Sequence, residues 1–339
     1  MKQFWSMVYA RTMEFVRDRG TFFWNLLFPV ILVLGFAFAF SGKGNALFKV
    51  GTFGEADPSL SFAKVEQVDF IRYDGQVPGG GLALEPVLDK LRRHELDMVI
   101  DYGTRGYWLN LESRNASLLR RIFLADAGAA AWTERAVSGA PVRYVDWLVP
   151  GVIGMNIMFS CLFGVGFVIV RYRKNGVLKR LKATPVSAFG FVSAQALSRF
   201  LIVILTSVAV FAGTNAFLHF MMKGSWLDLL LVATLGIVSM LALGLVFAAR
   251  LKSEELANGL MNLVTLPMLA LSGVFFSLEG SPPVLKSLAT FMPLSHATQA
   301  ARSIMLEGAS LAQVAPHLLF LALFSAAALG LAALLFKWE

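Results

Sequence analysis

The stretch Arg171-Tyr-Arg-Lys-Asn-Gly-Val-Leu-Lys-Arg-Leu-Lys-Ala-Thr-Pro185 stands between two apolar runs, and its reading decides the fold. Residues 150–170 before it and 200–220 after it contain no Asp, Glu, Lys or Arg. About 20 apolar residues suffice for a helix to cross a bilayer core. The basic stretch is therefore expected to be a loop between membrane spans, and its Lys/Arg density places it on the cytoplasmic side. Gly176, Val177, Leu178, Leu181 and Pro185 punctuate the charges as a short amphipathic helix would. Such a loop is more than a topology signal: it is shaped to be gripped by another protein.

Composition agrees. The 339 residues are 57% hydrophobic and 15% charged, against about 25% charged in soluble domains. The net charge of +8 does not point to nucleic acid once its location is checked. Lys2, Arg11, Arg17 and Arg19 flank the first apolar run, and Arg171, Arg173, Lys174, Lys179, Arg180, Lys182 and Arg199 lie in the 171–199 loop. Orientation in a membrane accounts for these cations. A lone cysteine, Cys161, excludes an intramolecular disulfide. Ala37-Phe-Ala39 resembles a signal-peptide cleavage site, but the apolar run before it is too long for a signal sequence, so the first span is read as retained.

The expected architecture is a polytopic α-helical membrane protein with six transmembrane helices, near 21–41, 147–170, 200–221, 228–249, 257–277 and 314–336. Residues 1–20 form an amphipathic interfacial helix, with Phe4, Val8 and Phe15 on one face and Arg11 largely off it. Both termini fall in the cytoplasm. Trp24, Trp147, Trp226 and Trp338 mark span ends.

Residues 42–146 are different. From 41 to 146 there are 13 Lys/Arg and 14 Asp/Glu, the balance of a soluble domain. Strands at 47–54, 67–73, 96–102 and 106–112 and helices at 82–94 and 115–138 predict a small α/β extracytoplasmic domain. Between spans five and six, residues 278–312 are apolar but broken by Ser281-Pro-Pro283, Pro293-Leu-Ser295 and Gly308. Two half-length helices follow from that pattern, the second capped by Ser295, forming a re-entrant hairpin in the 147–339 region.

Several chemistries lack a signature. There is no Gly-x-x-x-x-Gly-Lys-Ser/Thr phosphate loop and no nucleophile elbow. His94, His219, His296 and His317 show no metal-ligand spacing. The span interiors hold no charged residue, whereas ion-driven transporters usually depend on intramembrane carboxylates or broken helices. A transporter of this kind needs energy from elsewhere. The polar residues within spans include Asn25, Asn156, Ser160, Asn262, Thr265 and Ser272. Interhelical hydrogen bonding is their first expected role, and lining a substrate pathway the second.

Taken together, these residues resemble the permease subunit of type-2 (ABC-2) ATP-binding cassette exporters over nearly the whole chain. Phe28-Pro29 after the amphipathic helix is similar to that family's first span. Asn175-Gly-Val-Leu-Lys-Arg-Leu-Lys-Ala-Thr-Pro-Val186 is similar to its cytoplasmic coupling segment, and Pro267-Met-Leu-Ala-Leu-Ser-Gly-Val-Phe-Phe276 with Phe291-Met-Pro-Leu-Ser-His-Ala-Thr-Gln-Ala-Ala-Arg302 to its closing signature. One departure is that Arg173, Lys174 and Asn175 stand where many members have an acidic residue before the glycine.

The resemblance implies a non-catalytic permease that exports a hydrophobic or amphipathic substrate across a bacterial inner membrane. ATP and Mg would be bound by a separate cytoplasmic ATPase, with no cofactor on this chain. Arg173, Lys174, Gly176, Leu178, Lys179, Arg180, Leu181, Thr184 and Pro185, within the 171–186 segment, would form the coupling contact to that ATPase. A second permease subunit is the expected partner, a homodimer first. A periplasmic adaptor is a further candidate, and nucleic acid is not. The alternative is a membrane-anchored sensor or scaffold whose extracytoplasmic domain binds a ligand.

Overall fold

The computed structural model describes residues 2–39, 48–54, 62, 65, 68–73, 84–92, 96–111, 116–125, 132–138, 143–275 and 283–336. The chain divides into two compact units, one made of Met1–Ala39 with Tyr144–Glu339 and the other of Phe40–Arg143.

The first unit begins with α1 (Lys2–Arg17) and α2 (Arg19–Ala39). Val8, Arg11 and Phe15 share the buried face of α1, at the three- and four-residue spacing that aligns side chains on a helix. The expectation that Arg11 lies off this face is therefore corrected; its guanidinium has a buried acceptor, described below.

The second unit is a five-stranded sheet in the order β2-β1-β3-β4-β5. Its elements run β1 (Phe48–Phe53), β2 (Val68–Tyr73), α3 (Leu84–Arg92), β3 (Met98–Asp101), β4 (Gly106–Asn110), α4 (Ala116–Leu124) and β5 (Thr133–Val137). β1 pairs in parallel with β2 and β3, β4 runs antiparallel to β3, and β5 is parallel to β4. Period-two alternation sends neighbouring side chains to opposite faces. Met98, Ile100, Tyr107 and Leu109 thus pack with Leu119 and Phe123 of α4, while Val99 and Trp108 pack with Val87, Leu88 and Leu91 of α3. The single helix expected over 115–138 is corrected: α4 ends at Leu124 and Thr133–Val137 forms an edge strand. Trp132, Thr133 and Val137 suit a strand, and pairing with β4 overrides the local helical tendency.

The first unit then resumes. α5 (Tyr144–Cys161) passes through a π turn at Leu162–Phe167 into α6 (Val168–Lys174), and the three make one continuous helix from Tyr144 to Lys174. After α7 (Val177–Lys182) come α8 (Ala188–Leu218), α9 (Trp226–Ala248) and α10 (Glu254–Leu271). α11 (Pro283–Ala289), α12 (Pro293–Arg302) with a π turn at Ser303–Glu307, and α13 (Leu311–Leu335) complete it. α5 sits centrally, packed against α2, α8, α9 and α12.

Among the described residues, four helices are long and apolar enough to cross a membrane: Tyr144–Lys174, Ala188–Leu218, Trp226–Ala248 and Leu311–Leu335. They make this a mostly helical, multi-pass membrane protein. The expected first span falls on α2, whose apolar part Asn25–Phe36 is shorter, and the expected fifth on α10, an 18-residue helix that opens on Glu254 and Glu255. The third span begins well before 200, because α8 is helical from Ala188 and Ser187 caps it by accepting from the Gly190 N–H at 3.0 Å. Ser295 does not cap the second half-length helix; Met292 holds that position with Pro293 first in the helix, and the Ser295 hydroxyl reaches Ser272 instead. Ser281 and Pro282 lie outside the described residues.

Candidate functional site

Residues 171–186 fold as the end of one long helix, a turn and the short α7. Gly176 occupies the left-handed region, φ +71°, which glycine enters without steric cost, and it lets α7 start immediately after α6. Thr184 closes α7 by donating to the Leu181 carbonyl at 2.6 Å. Leu178 is fully buried beneath this helix, worth about 2 kcal/mol by area. Lys179, Arg180, Lys182, Thr184 and Pro185 are exposed, and Leu181 is half-buried. Leu178 therefore anchors the helix, and the exposed cations form the surface a partner can reach.

Two of the candidate coupling residues are engaged by this chain's own helices, Arg173 from a buried position and Lys174 from an exposed one. Arg173 is buried and donates to the carbonyls of Ala249, at 3.2 Å, and Leu251. Lys174 lies 3.6 Å from Glu254 and 3.5 Å from Glu255 at the start of α10. Together they tie the base of α7 to the turn between α9 and α10. Carboxylates in a first helical turn also complement the helix dipole.

Of the polar candidates for a substrate pathway, Asn25, Asn156 and Ser160 come together in one cavity of about 570 Å³ with Arg11, Glu14 and Arg199. The Ser160 hydroxyl donates to the Asn25 side-chain oxygen, linking α5 to α2. Asn262, Thr265 and Ser272 are not part of it. Asn262 reaches Asn258 at 3.4 Å, the buried Thr265 bonds to its own helix, and Ser272 receives Thr298 on its carbonyl at 3.2 Å.

The residues that sequence reasoning missed are arginines. Arg199 is buried in α8 and donates through Nε to the Ser160 carbonyl at 2.7 Å. Arg11 donates to the Gly164 carbonyl at 2.9 Å. Gly164 lies within the π turn and Ser160 at the end of α5 just before it, where the i→i−4 ladder gives way to i→i−5 pairing and carbonyls become available to other donors. Arg302 donates to the carbonyls of Trp147 at 3.1 Å and Gly273 at 2.7 Å and lies 3.7 Å over the Trp147 ring. Four of these cations, counting Arg173, thus point at backbone oxygens. A guanidinium carries five donors in a fixed fork and suits this task. The signal in the sequence was Gly164, because only glycine there leaves room for the Arg199 guanidinium.

Glu14 ties α1 to the same region. It pairs with Arg11 at 2.7 Å and Arg171 at 3.5 Å and accepts from the Tyr172 hydroxyl. Partial burial opposes ionisation, yet these donors and charges hold its carboxyl below the usual range. Thr12 and Ser198 share a 2.8 Å hydrogen bond, adding a second tie to α8.

No group of three or more His, Cys, Asp or Glu converges among the described residues. His296 and His317 do face each other, with their Nδ1 atoms 2.9 Å apart. In the second unit, Tyr107 donates to Glu134 at 2.7 Å and Arg120 pairs with the same carboxylate at 2.8 Å.

The chain is similar to known permeases. It is 25% identical over 183 residues to the inner membrane transport permease YhhJ of Escherichia coli (strain K12), covering 54% of this chain and 49% of that protein. It is 26% identical over 169 residues to the linearmycin resistance permease protein LnrN of Bacillus subtilis (strain 168), covering 48% and 42%. The chain thus spans about half, or less, of the length of these curated relatives. Residues 131–334, which hold the long helices, the π turns and α7, match the model of the ABC-2 family transporter proteins, and the chain belongs to that family.

Proposed function

We propose that this chain is the permease subunit of an ATP-binding cassette exporter, moving a hydrophobic or amphipathic substrate out of the cytoplasm or inner leaflet. The observation that carries the reading is α7, a basic six-residue helix anchored from beneath by Leu178 and tied to α10 through Lys174. A helix held in this way passes a push from a partner into the long helices rather than absorbing it. ABC-2 permeases work with an ATPase partner; here it would bind ATP and Mg and dock on Lys179, Arg180, Lys182, Thr184 and Pro185. Six spans, cytoplasmic termini, a bacterial inner membrane, a re-entrant 278–312 segment and a dimer of permeases complete the proposal. The cavity around Asn25, Asn156 and Ser160 is its candidate substrate contact. Similarity to a linearmycin resistance permease favours a drug-like or lipid-like cargo.

The experiment is vanadate-sensitive ATPase activity in material co-purified through a tag on this chain. Arg180→Glu is expected to release the ATPase while the permease keeps its elution profile. Absence of any co-purifying ATPase from native membranes would sink the exporter reading and leave a membrane-anchored sensor with an external ligand-binding domain.

A further inference from the structure

The cavity that holds Asn25, Asn156 and Ser160 carries a positive charge without a counter-charge. Arg11, Arg171 and Arg199 line it against Glu14 and Asp18. Glu14 is engaged by Arg11 and Arg171. Arg199 is only 4% exposed and pairs with no carboxylate among the described residues. Its Nε donates to the Ser160 carbonyl, and its guanidinium lies 5.0 Å from the centre of the Phe15 ring. The two terminal nitrogens have no acceptor among the described residues, yet both keep accessible surface. They open into the cavity that Arg199 lines.

Asn156 repeats the pattern. It is 8% exposed and lines the same cavity. Its amide has no partner among the described residues and likewise keeps accessible surface. By contrast, the buried Thr206 and Thr214 hydroxyls donate to the carbonyls of Ile202 and Val210, and Arg302 reaches those of Trp147 and Gly273. Buried polar groups are ordinarily hydrogen-bonded, and a guanidinium taken out of water without a counter-charge is costly. Two such groups on one cavity mark a place for a ligand. With Nε bound to Ser160, the end of the guanidinium remains free. Its two parallel donors form the fork that holds a carboxylate or phosphate bidentately.

The remaining walls are apolar. Phe28 of α2, Met155 and Phe159 of α5 and Phe163 of the π turn line them. Phe28 is 44% exposed, and beyond it α2 stays apolar to Phe36, so a chain leaving the cavity meets hydrocarbon rather than water. The volume of about 570 Å³ lies within the roughly 300–1,000 Å³ of small-molecule sites. We propose that this cavity binds a single-chain anionic amphiphile, its carboxylate or phosphate head on Arg199 and Asn156 and its chain between α2 and α5. Arg11 and Thr12 hold α1 to Gly164 and Ser198, so the head sits at the level of α1, where the lipid headgroups of the inner leaflet begin. The proposal rests on the reading of this cavity as the substrate contact and gives that substrate a charge.

The test uses the full chain in phosphatidylcholine nanodiscs, with tritiated palmitate as probe and empty nanodiscs subtracted. The buffer is held well above the carboxylate range, so the probe is charged. Palmitate is expected to bind about 30-fold more tightly than hexadecanol, read by competition, the scale of hydrogen bonds to a charged group. Arg199→Met should make the two equal. Asn156→Ala breaks no hydrogen bond of the described residues, so it should leave the fold intact and weaken palmitate about 5-fold. Equal affinities in the unaltered chain, or palmitate binding unmoved by both variants, would overturn the proposal. Inorganic phosphate displacing palmitate where hexadecanol does not would also overturn it, by making the site one for a free anion. Equilibrium binding needs no ATPase, so palmitate binding lost beside a co-purifying ATPase removes this proposal and leaves the exporter reading in place. Palmitate binding without any ATPase does the reverse.

Discussion

The Arg199 guanidinium fills the space that a side chain at Gly164 would need: a Cβ built there would stand 2.1 Å from Nε. The glycine of the π turn and the arginine of α8 are one arrangement, in which a missing methyl group admits a buried cation to the carbonyl of Ser160. It joins the helix that leads into α7 to the helix that follows it, and Arg11 brings α1 to the same turn.

Gly164→Ala is expected to lower thermal stability in detergent by about 1–3 kcal/mol, the cost of overpacking. Gly213→Ala serves as the control, since no atom lies within 4 Å of a Cβ built there. Equal melting of the two variants would contradict the packing described.

Arg199→Lys should not rescue what Arg199→Ala loses. An ammonium places a point charge where a planar fork with Nε oriented toward the Ser160 carbonyl is required. Both variants are expected to reduce ATPase stimulation by the permease, and a fully active Arg199→Lys protein would show that charge alone matters.

Variants in α7 should divide by burial. Leu178→Asp buries a carboxylate in a site with no exposure and should destabilise the α7 region by several kcal/mol, seen as rapid proteolysis there. Arg180→Glu is expected to leave the fold intact and lose the ATPase. Lys174→Ala removes only partly exposed ion pairs and should cost less than about 1 kcal/mol.

The second unit should show a pH signature. Burial first, and then the Glu134 carboxylate, push the Tyr107 phenol up to about 12, whereas an unfolded tyrosine ionises near pH ~10. Between those values the folded state keeps a proton that the unfolded chain releases, so stability from Tyr107 is full below pH ~10 and falls as pH rises through the folded value. Glu134 is held low by Tyr107 and Arg120; its contribution is present above the ordinary carboxylate range and lost as pH falls through its lowered value. Phenolate absorbance, taken as the difference from Tyr107→Phe, checks the first. Glu134→Gln should move that titration downward, with burial still keeping it above the ordinary value.

Membrane character and a short basic helix after Gly176 were legible in the sequence because both are local. An uninterrupted apolar run needs no tertiary knowledge to be read, and Gly176 with Leu178 and Leu181 marks a short helix through spacing alone. The strand at 133–137 was not legible, because its hydrogen bonds come from β4, about 27 residues away in register. The arginines misled for a related reason. Charges flanking an apolar run look like topology signals, and nothing local tells an arginine that faces lipid headgroups from one whose acceptors lie on another helix. Asn25, Asn156 and Ser160 were picked as polar residues in apolar segments, but only helix packing placed them in one cavity and left Asn262, Thr265 and Ser272 outside it. What the amino-acid order determined by itself was hydrophobicity, charge placement and helix punctuation, each of which acts over a few residues. The tertiary structure decided which carbonyl each arginine reaches, that Leu178 anchors α7 from beneath, and that the Ser160 hydroxyl meets Asn25 of α2, because those outcomes depend on helices brought together from distant parts of the chain.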